Sequence, residues 1–142
     1  MNASRPLRWH QRYDNFLRAL VLLEEGAAER SRRALSDLEQ AGIIQRYEMS
    51  WELGWKVLRD YLADGGAPVE LPSPANVIRA AFAISLIADG DGWIAAMQLR
   101  NRLAHEYNRE AAVLAVDLIA TQHLALLRAL ADKLADERAS AN

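Results

Sequence analysis

Four side chains that can handle a phosphate, a proton or a base edge lie close together in the sequence: Arg100, Arg102, His105 and Tyr107. Arginine offers phosphate a bidentate fork, histidine titrates near neutral pH, and tyrosine supplies a hydroxyl and a stacking face. No Asp, Glu or His cluster with metal-ligand spacing accompanies them. The set suits metal-independent cleavage of RNA, in which a base takes the 2′-hydroxyl proton and cations stabilise the charge developing on the phosphate.

The spacing of Arg100 and His105 limits how these two residues can act together. Five positions on a continuous helix place two side chains about 140° apart, on different faces. They converge only if the helix ends between them, or if a second chain supplies the other half of the site. Asn108 is a good N-cap for a following helix, so we expect a helix break near 104–108.

The same residues also have a purely structural interpretation. His105 and Tyr107 would then cap a helix end, and Arg100 would pair with Glu48 or Glu106. On this interpretation the chain is a helical scaffold with no nucleotide role. The interpretations differ in whether the groups share a cleft that water can reach.

Composition indicates a single globular domain. Of the 142 residues 51% are apolar and 25% are charged, which is enough for a sizeable hydrophobic core. No apolar run approaches the roughly 20 residues of a membrane span, and no signal-type block follows the start, so we expect a cytoplasmic protein without a membrane partner. The absence of cysteine excludes disulfides and a thiol nucleophile, and we expect no metal or other cofactor. A net charge of -2 argues against non-specific coating of nucleic acid but allows a small local basic site.

Hydrophobic periodicity predicts helices throughout and no strand. In order, they cover roughly 8–25 up to Gly26, Ser36 to Gly65, Ser73 to about Ala88, Trp93 to the break near 104–108, and Asn108 to about 135. We expect a break at Gly26, although residues 27–35 could either continue the first helix or form a loop. We therefore predict an all-α, up-and-down bundle of four main helices plus a short helix, at 8–135. A disordered lead at 1–7 and a frayed tail at 136–142 would flank it.

The second predicted helix carries a stripe of charged residues, Glu48, Glu52 and Lys56, spaced four apart. One interpretation is a surface ladder of i,i+4 ion pairs. The other places Glu48 or Glu52 near His105 as an orienting carboxylate.

The last predicted helix carries apolar residues that alternate by three and four positions. This seam comprises Val113, Val116, Ala120, His123, Leu127, Leu130 and Leu134. It is able to lie along the other long helices. Because His123 lies inside the seam, we predict a hydrogen-bonded core or interface histidine rather than a ligand.

Arg100-x4-His105-x-Tyr107 resembles the Arg-x4–6-His-x-Tyr motif of HEPN domains, and more narrowly the HepT-type group, the substrate-binding partners of minimal nucleotidyltransferases. Residues 44–62 are similar to the second-helix signature of that group, and residues 73–82 and 86–93 to its middle segment. The likeness runs in register from about residue 12 to 125. It implies a HEPN-like bundle that forms a homodimer with two copies of the motif facing each other.

The resemblance also implies roles at the matching positions. Arg100 and His105 would be the catalytic pair, with His105 as the base and Arg100 stabilising the phosphate. Tyr107 would be the residue that the nucleotidyltransferase modifies with AMP, which adds bulk and negative charge beside the site and blocks RNA. Candidate helpers without an assigned role are Asn101, Arg102, Glu48 and Glu52.

Two functions follow from the resemblance. The first is a HepT-like toxin that cleaves RNA without metal and is neutralised by adenylylation of Tyr107. The second is a non-catalytic subunit that presents substrate or a docking face to the nucleotidyltransferase, with RNA or a nucleotide as ligand, in a heterotetramer or larger complex. Glu106 replaces the small polar residue expected between His105 and Tyr107, and its carboxylate would repel phosphate, which favours the second function.

Overall fold

The computed structural model describes residues 7–140, which form helices and no strand. The helices are α1 (Arg8–Arg30), α2 (Asp37–Asp64), α3 (Pro74–Ala83), α4 (Gly90–His105) and α5 (Arg109–Ser140), and α5 contains a π turn at Ile119–His123. The all-α prediction is confirmed. Most of the predicted lead at 1–7 and the end of the predicted tail at 136–142 lie outside the described residues. Helix α5 includes residues 136–140, so it is longer than predicted.

The core lies between α1, α2, α4 and α5, where large side chains interlock. Phe16, Tyr47, Trp51, Trp93 and Leu127 are all nearly or fully buried. Aromatic rings contribute the largest apolar areas to such a core. The core therefore fixes α4 and the start of α5 against α2, and these are the helices that carry the residues predicted to do chemistry.

A buried carboxylate joins α1 to α2. Asp60 is 1% exposed, and its oxygens accept from Nε of Arg12 at 3.0 Å and from Nε of Arg59 at 3.1 Å. A buried charge is tolerated only when it is paired and hydrogen-bonded, because leaving water is costly. The two arginines therefore hold Asp60 in place, and the contact with Arg12 joins α1 to α2.

Several predicted helix boundaries are confirmed with their capping residues. Ser36 and Glu39 form the reciprocal capping box at the start of α2, and Gly66 has a φ of 84° just after α2 ends. Ser73 caps α3 with Pro74 at the first helical position. These signals are local, which is why the sequence alone locates them.

Three predicted boundaries were wrong. Helix α1 does not end near 25 but continues through Gly26, where a Cβ atom would lie 3.1 Å from Cγ1 of Ile43, so the glycine permits a close approach of α2. Helix α3 ends at Ala83, before the predicted Ala88, and Ser85 then adopts a left-handed φ of 61°. Helix α4 starts at Gly90, ahead of the predicted Trp93, directly after its N-cap, Asp89.

Before the π turn the predicted seam of α5 was right at Val116, which is buried, and wrong at Val113, which is half exposed. Ala112 and Ala115 are the other buried residues of this part. After the turn the prediction is confirmed, since His123, Leu127, Leu130 and Leu134 are buried. A π turn has i→i+5 hydrogen bonds and adds one residue to the helical repeat, which shifts the buried face.

Helix α5 is long and apolar enough, by length and composition, to cross a membrane. Its most apolar 18-residue window has a mean hydropathy of 1.5, and a third of that window is buried. Asp117, Thr121 and His123 interrupt the apolar run of this helix, while its average hydropathy stays high. The buried face of α5 packs in the bundle core, and the exposed apolar residues Val113 and Leu114 remain on the surface.

The packing around Gly54 generates a stability prediction. A Cβ atom there would lie 3.3 Å from Phe16 Cε1, 3.4 Å from Trp93 Cη2 and 3.5 Å from Leu127 Cδ2. We expect Gly54→Val to lower the free energy of unfolding by about 1–3 kcal/mol through overpacking. The matched variant Gly42→Val on the same helix, where a Cβ meets nothing within 4 Å, should change it by less than about 0.5 kcal/mol. Urea denaturation measures both, and equal effects would contradict the packing account.

Candidate functional site

The predicted helix break lies between α4 and α5, and we call residues 105–108 the α4–α5 junction. Helix α4 ends at His105, Glu106 is extended, and the Glu106 N–H donates to the Arg102 carbonyl oxygen at 2.7 Å. The Asn108 side chain then accepts from the Ala111 N–H at 2.8 Å and starts α5. The break near 104–108 is confirmed, but it follows His105 instead of separating His105 from Arg100.

Arg100 and His105 therefore belong to one continuous helix. Their spacing places the two side chains about 140° apart around its axis. Arg100 lies against α2, with its Nη2 3.4 Å from Oε2 of Glu52, whereas His105 is exposed at the end of α4. One chain alone does not bring the predicted catalytic pair onto the same face.

The charged stripe of α2 forms part of the predicted surface ladder, and its Glu52 contacts Arg100 instead of the predicted His105. Glu52 pairs with Lys56 at 3.5 Å, as a surface ladder requires, and with Arg100 at 3.4 Å. Arg100 thus pairs with Glu52 rather than with the predicted Glu48 or Glu106. Glu48 is half-buried and forms no ion pair within residues 7–140.

Tyr107 differs from the other three tyrosines of the chain. The hydroxyls of Tyr13, Tyr47 and Tyr61 donate to the Ala131 carbonyl, the Ala96 carbonyl and the Glu137 carboxylate. Burial raises the pKa of each of these three phenols. The Tyr107 ring is 53% exposed, and its hydroxyl has no hydrogen-bond partner within residues 7–140. Tyr107 is therefore the phenol that a reagent can reach.

A cavity of about 490 Å³ opens beside Tyr107, and we call it the Tyr107 cavity. It lies between the first turns of α2 and α5, and its lining comprises Asp37, Leu38, Gln40, Ala41, Tyr107, Asn108, Arg109 and Ala112. Across it Nη2 of Arg109 lies 2.8 Å from Oδ2 of Asp37, with both side chains well exposed. Arg100 and His105 do not line this cavity.

A second groove, of about 330 Å³, lies on the other side of the junction, between α4 and α5. Its floor is apolar, with Leu99 and Leu103, and its rim carries Arg102, Glu106 and Asp117. The candidate helper Arg102 and the unexpected Glu106 therefore face a different groove from Tyr107. Asn101, the remaining helper on α4, is exposed and lines neither groove.

His123 is a core histidine, as predicted, at 3% exposure in the π turn of α5. Its ring packs against Tyr47, with the ring centroids 5.9 Å apart. Burial lowers the pKa of His123, and the nearby Arg102 lowers it further. The predicted hydrogen bond is not found at Nδ1, which has no partner within the described part of the chain.

The Tyr107 cavity, on whose edge Arg109 lies, was not predicted from the sequence. The residues that line the cavity come from 37–41 and 107–112, and only the packing of α2 on α5 brings these two segments together. The one available signal was that both helices begin with capping residues, Ser36 and Asn108. In residues 7–140 no three His, Asp or Glu side chains cluster in a way that would hold a metal ion.

The fold and the junction thus define an all-helical bundle with an Arg-x4-His-x-Tyr segment at a break between its last two helices. Residues 11–136 match the family described as nucleotidyltransferase substrate binding protein like. Because the match covers most of the chain, the protein belongs to this family. No curated protein matches the sequence. The narrower resemblance to HEPN and HepT proteins stays a prediction.

The buried His123 generates a prediction about pH. Because its pKa is lowered from 6.5 in the folded state, the unfolded chain binds more protons as the pH falls below 6.5, and stability must then decrease. Between pH 7.5 and 5.5, a range that includes the ordinary pKa of 6.5, we expect the free energy of unfolding to fall less steeply in His123→Phe than in wild type. Urea denaturation at stepped pH measures it. An equal slope in wild type and His123→Phe would contradict the assignment.

Proposed function

We propose that this protein is the partner subunit of a minimal nucleotidyltransferase, and that Tyr107 is the hydroxyl to which the transferase attaches AMP. The observation that carries this proposal is a difference among the four tyrosine hydroxyls. Tyr107 is exposed and has no hydrogen-bond partner in the described part of the chain, whereas the other three hydroxyls donate hydrogen bonds. The family description, which pairs substrate binding with a nucleotidyltransferase, supports the same partner.

The transfer is a substitution at phosphorus. Oη of Tyr107 attacks the α-phosphorus of ATP held by the transferase, the Oη–P bond forms, and the bond to the β-phosphate oxygen breaks. Pyrophosphate leaves, and the phenolic proton passes to a base of the transferase or to water. Tyr13, Tyr47 and Tyr61 are poor acceptors, because their hydroxyl protons are already donated within the bundle and burial raises the pKa of each phenol.

The first test of this function is modification of Tyr107. After coexpression with the nucleotidyltransferase, or incubation with the transferase and ATP, we expect mass spectrometry to find AMP on Tyr107. Tyr107→Phe should abolish the adduct, whereas Tyr61→Phe, which removes a hydrogen-bonded phenol, should leave it unchanged. Co-purification of the two proteins without any adduct would leave only a docking role, and neither adduct nor co-purification would leave a helical scaffold.

Metal-independent cleavage of RNA is a second candidate function. The observation that favours it is that α4 carries a half-exposed guanidinium, Arg100, and an exposed imidazole, His105, within a few residues of Tyr107. His105 would act as the base, and Arg100 would stabilise the phosphate once it leaves Glu52. Because one chain places the pair on different faces of α4, this function requires a homodimer in which each copy completes the site of the other.

The second function is tested on purified protein with RNA in the presence of EDTA. Wild type should cleave RNA and spare DNA of the same sequence, and His105→Ala should lower the rate by about 100-fold or more, the contribution of a general base. His10→Ala, a change at the opposite end of the bundle, should retain activity. If wild type and His105→Ala leave RNA equally intact, the chain does not act as a ribonuclease.

A further inference from the structure

We infer that the AMP group attached to Tyr107 docks in the Tyr107 cavity, where Arg109 leaves Asp37 and pairs with the phosphodiester. This inference rests on the proposed function, since it describes where the product of that reaction lies. The adduct would then be a fixed part of the bundle surface rather than a mobile appendage.

The dimensions and lining of the cavity suit an adenosine group. Its volume of about 490 Å³ lies within the roughly 300–1,000 Å³ of small-ligand sites. Ala112 is almost buried at its floor, and Leu38 is 82% exposed at its edge. A nucleobase lying between them would cover an exposed leucine that now faces water, and covering apolar surface favours binding.

The charges at the cavity favour the phosphodiester of a tyrosine adduct. Arg109 is a cation within the first turn of α5, and the N-terminal ends of α2 and α5, which both border the cavity, carry partial positive charge. The present partner of Arg109 is Asp37, and both side chains are largely exposed, at 80% and 63%, so their pairing is weak. A phosphodiester attached to the adjacent Tyr107 competes with Asp37 at a high effective concentration.

The test is the rate at which a nonspecific phosphodiesterase removes AMP from modified protein, followed by intact mass. Arg109→Gln should lose AMP about three- to fivefold faster than wild type, the range for one exposed charge pair. Asp37→Asn should lose it more slowly, because Arg109 is then released from its competitor. Arg18→Gln, a matched change on the exposed face of α1, should behave as wild type.

A further variant tests the adenosine contact without touching Arg109. Leu38→Ser removes the apolar edge without adding a charge and should also speed removal of AMP. If Arg109→Gln and Leu38→Ser both release AMP at the wild-type rate, the adduct does not dock and the inference is overturned, while the proposed function stands. If wild type carries no AMP on Tyr107 after exposure to the transferase, the proposed function fails, and the inference fails with it.

Discussion

The interruption of the helix at residues 106–108 is the constraint on which the surface around Tyr107 depends. Leu99 and Leu103 are buried and spaced by four, so an unbroken helix would place residue 107 next on the same buried stripe. The Asn108 side chain instead accepts the N–H of Ala111 and starts a new helix, and Tyr107 is left half exposed. Tyr107 would therefore occupy a core position on an unbroken helix, whereas it is an accessible phenol beside the capping hydrogen bond that starts α5.

Helix α2 supplies the counterions of the cations near the junction. Glu52 pairs with Arg100, and Asp37 pairs with Arg109. A phosphate that binds at either arginine must displace a carboxylate, which opposes the binding of a free RNA. The arrangement of charges is in this respect in keeping with the net charge of -2.

Local signals made much of the fold predictable, and long-range packing made the rest unpredictable. Ser36 with Glu39, Ser73 with Pro74, and Asn108 locate helix starts because a cap needs only its neighbours in sequence. From the sequence, Gly26 predicts a helix break, yet the helix continues. The glycine is explained by Ile43 on α2, which packs close to it. The pairing of Arg100 with Glu52 and the Tyr107 cavity depend in the same way on the packing of α2 against the last two helices.

The two candidate functions require different assemblies of the same junction. Transfer of AMP to Tyr107 needs only one exposed phenol and a transferase, and a single chain provides the phenol. RNA cleavage needs an imidazole and a guanidinium on one phosphate, and α4 holds His105 and Arg100 about 140° apart around a continuous helix. A monomer is therefore compatible with the first function alone, and only a symmetric dimer adds the second.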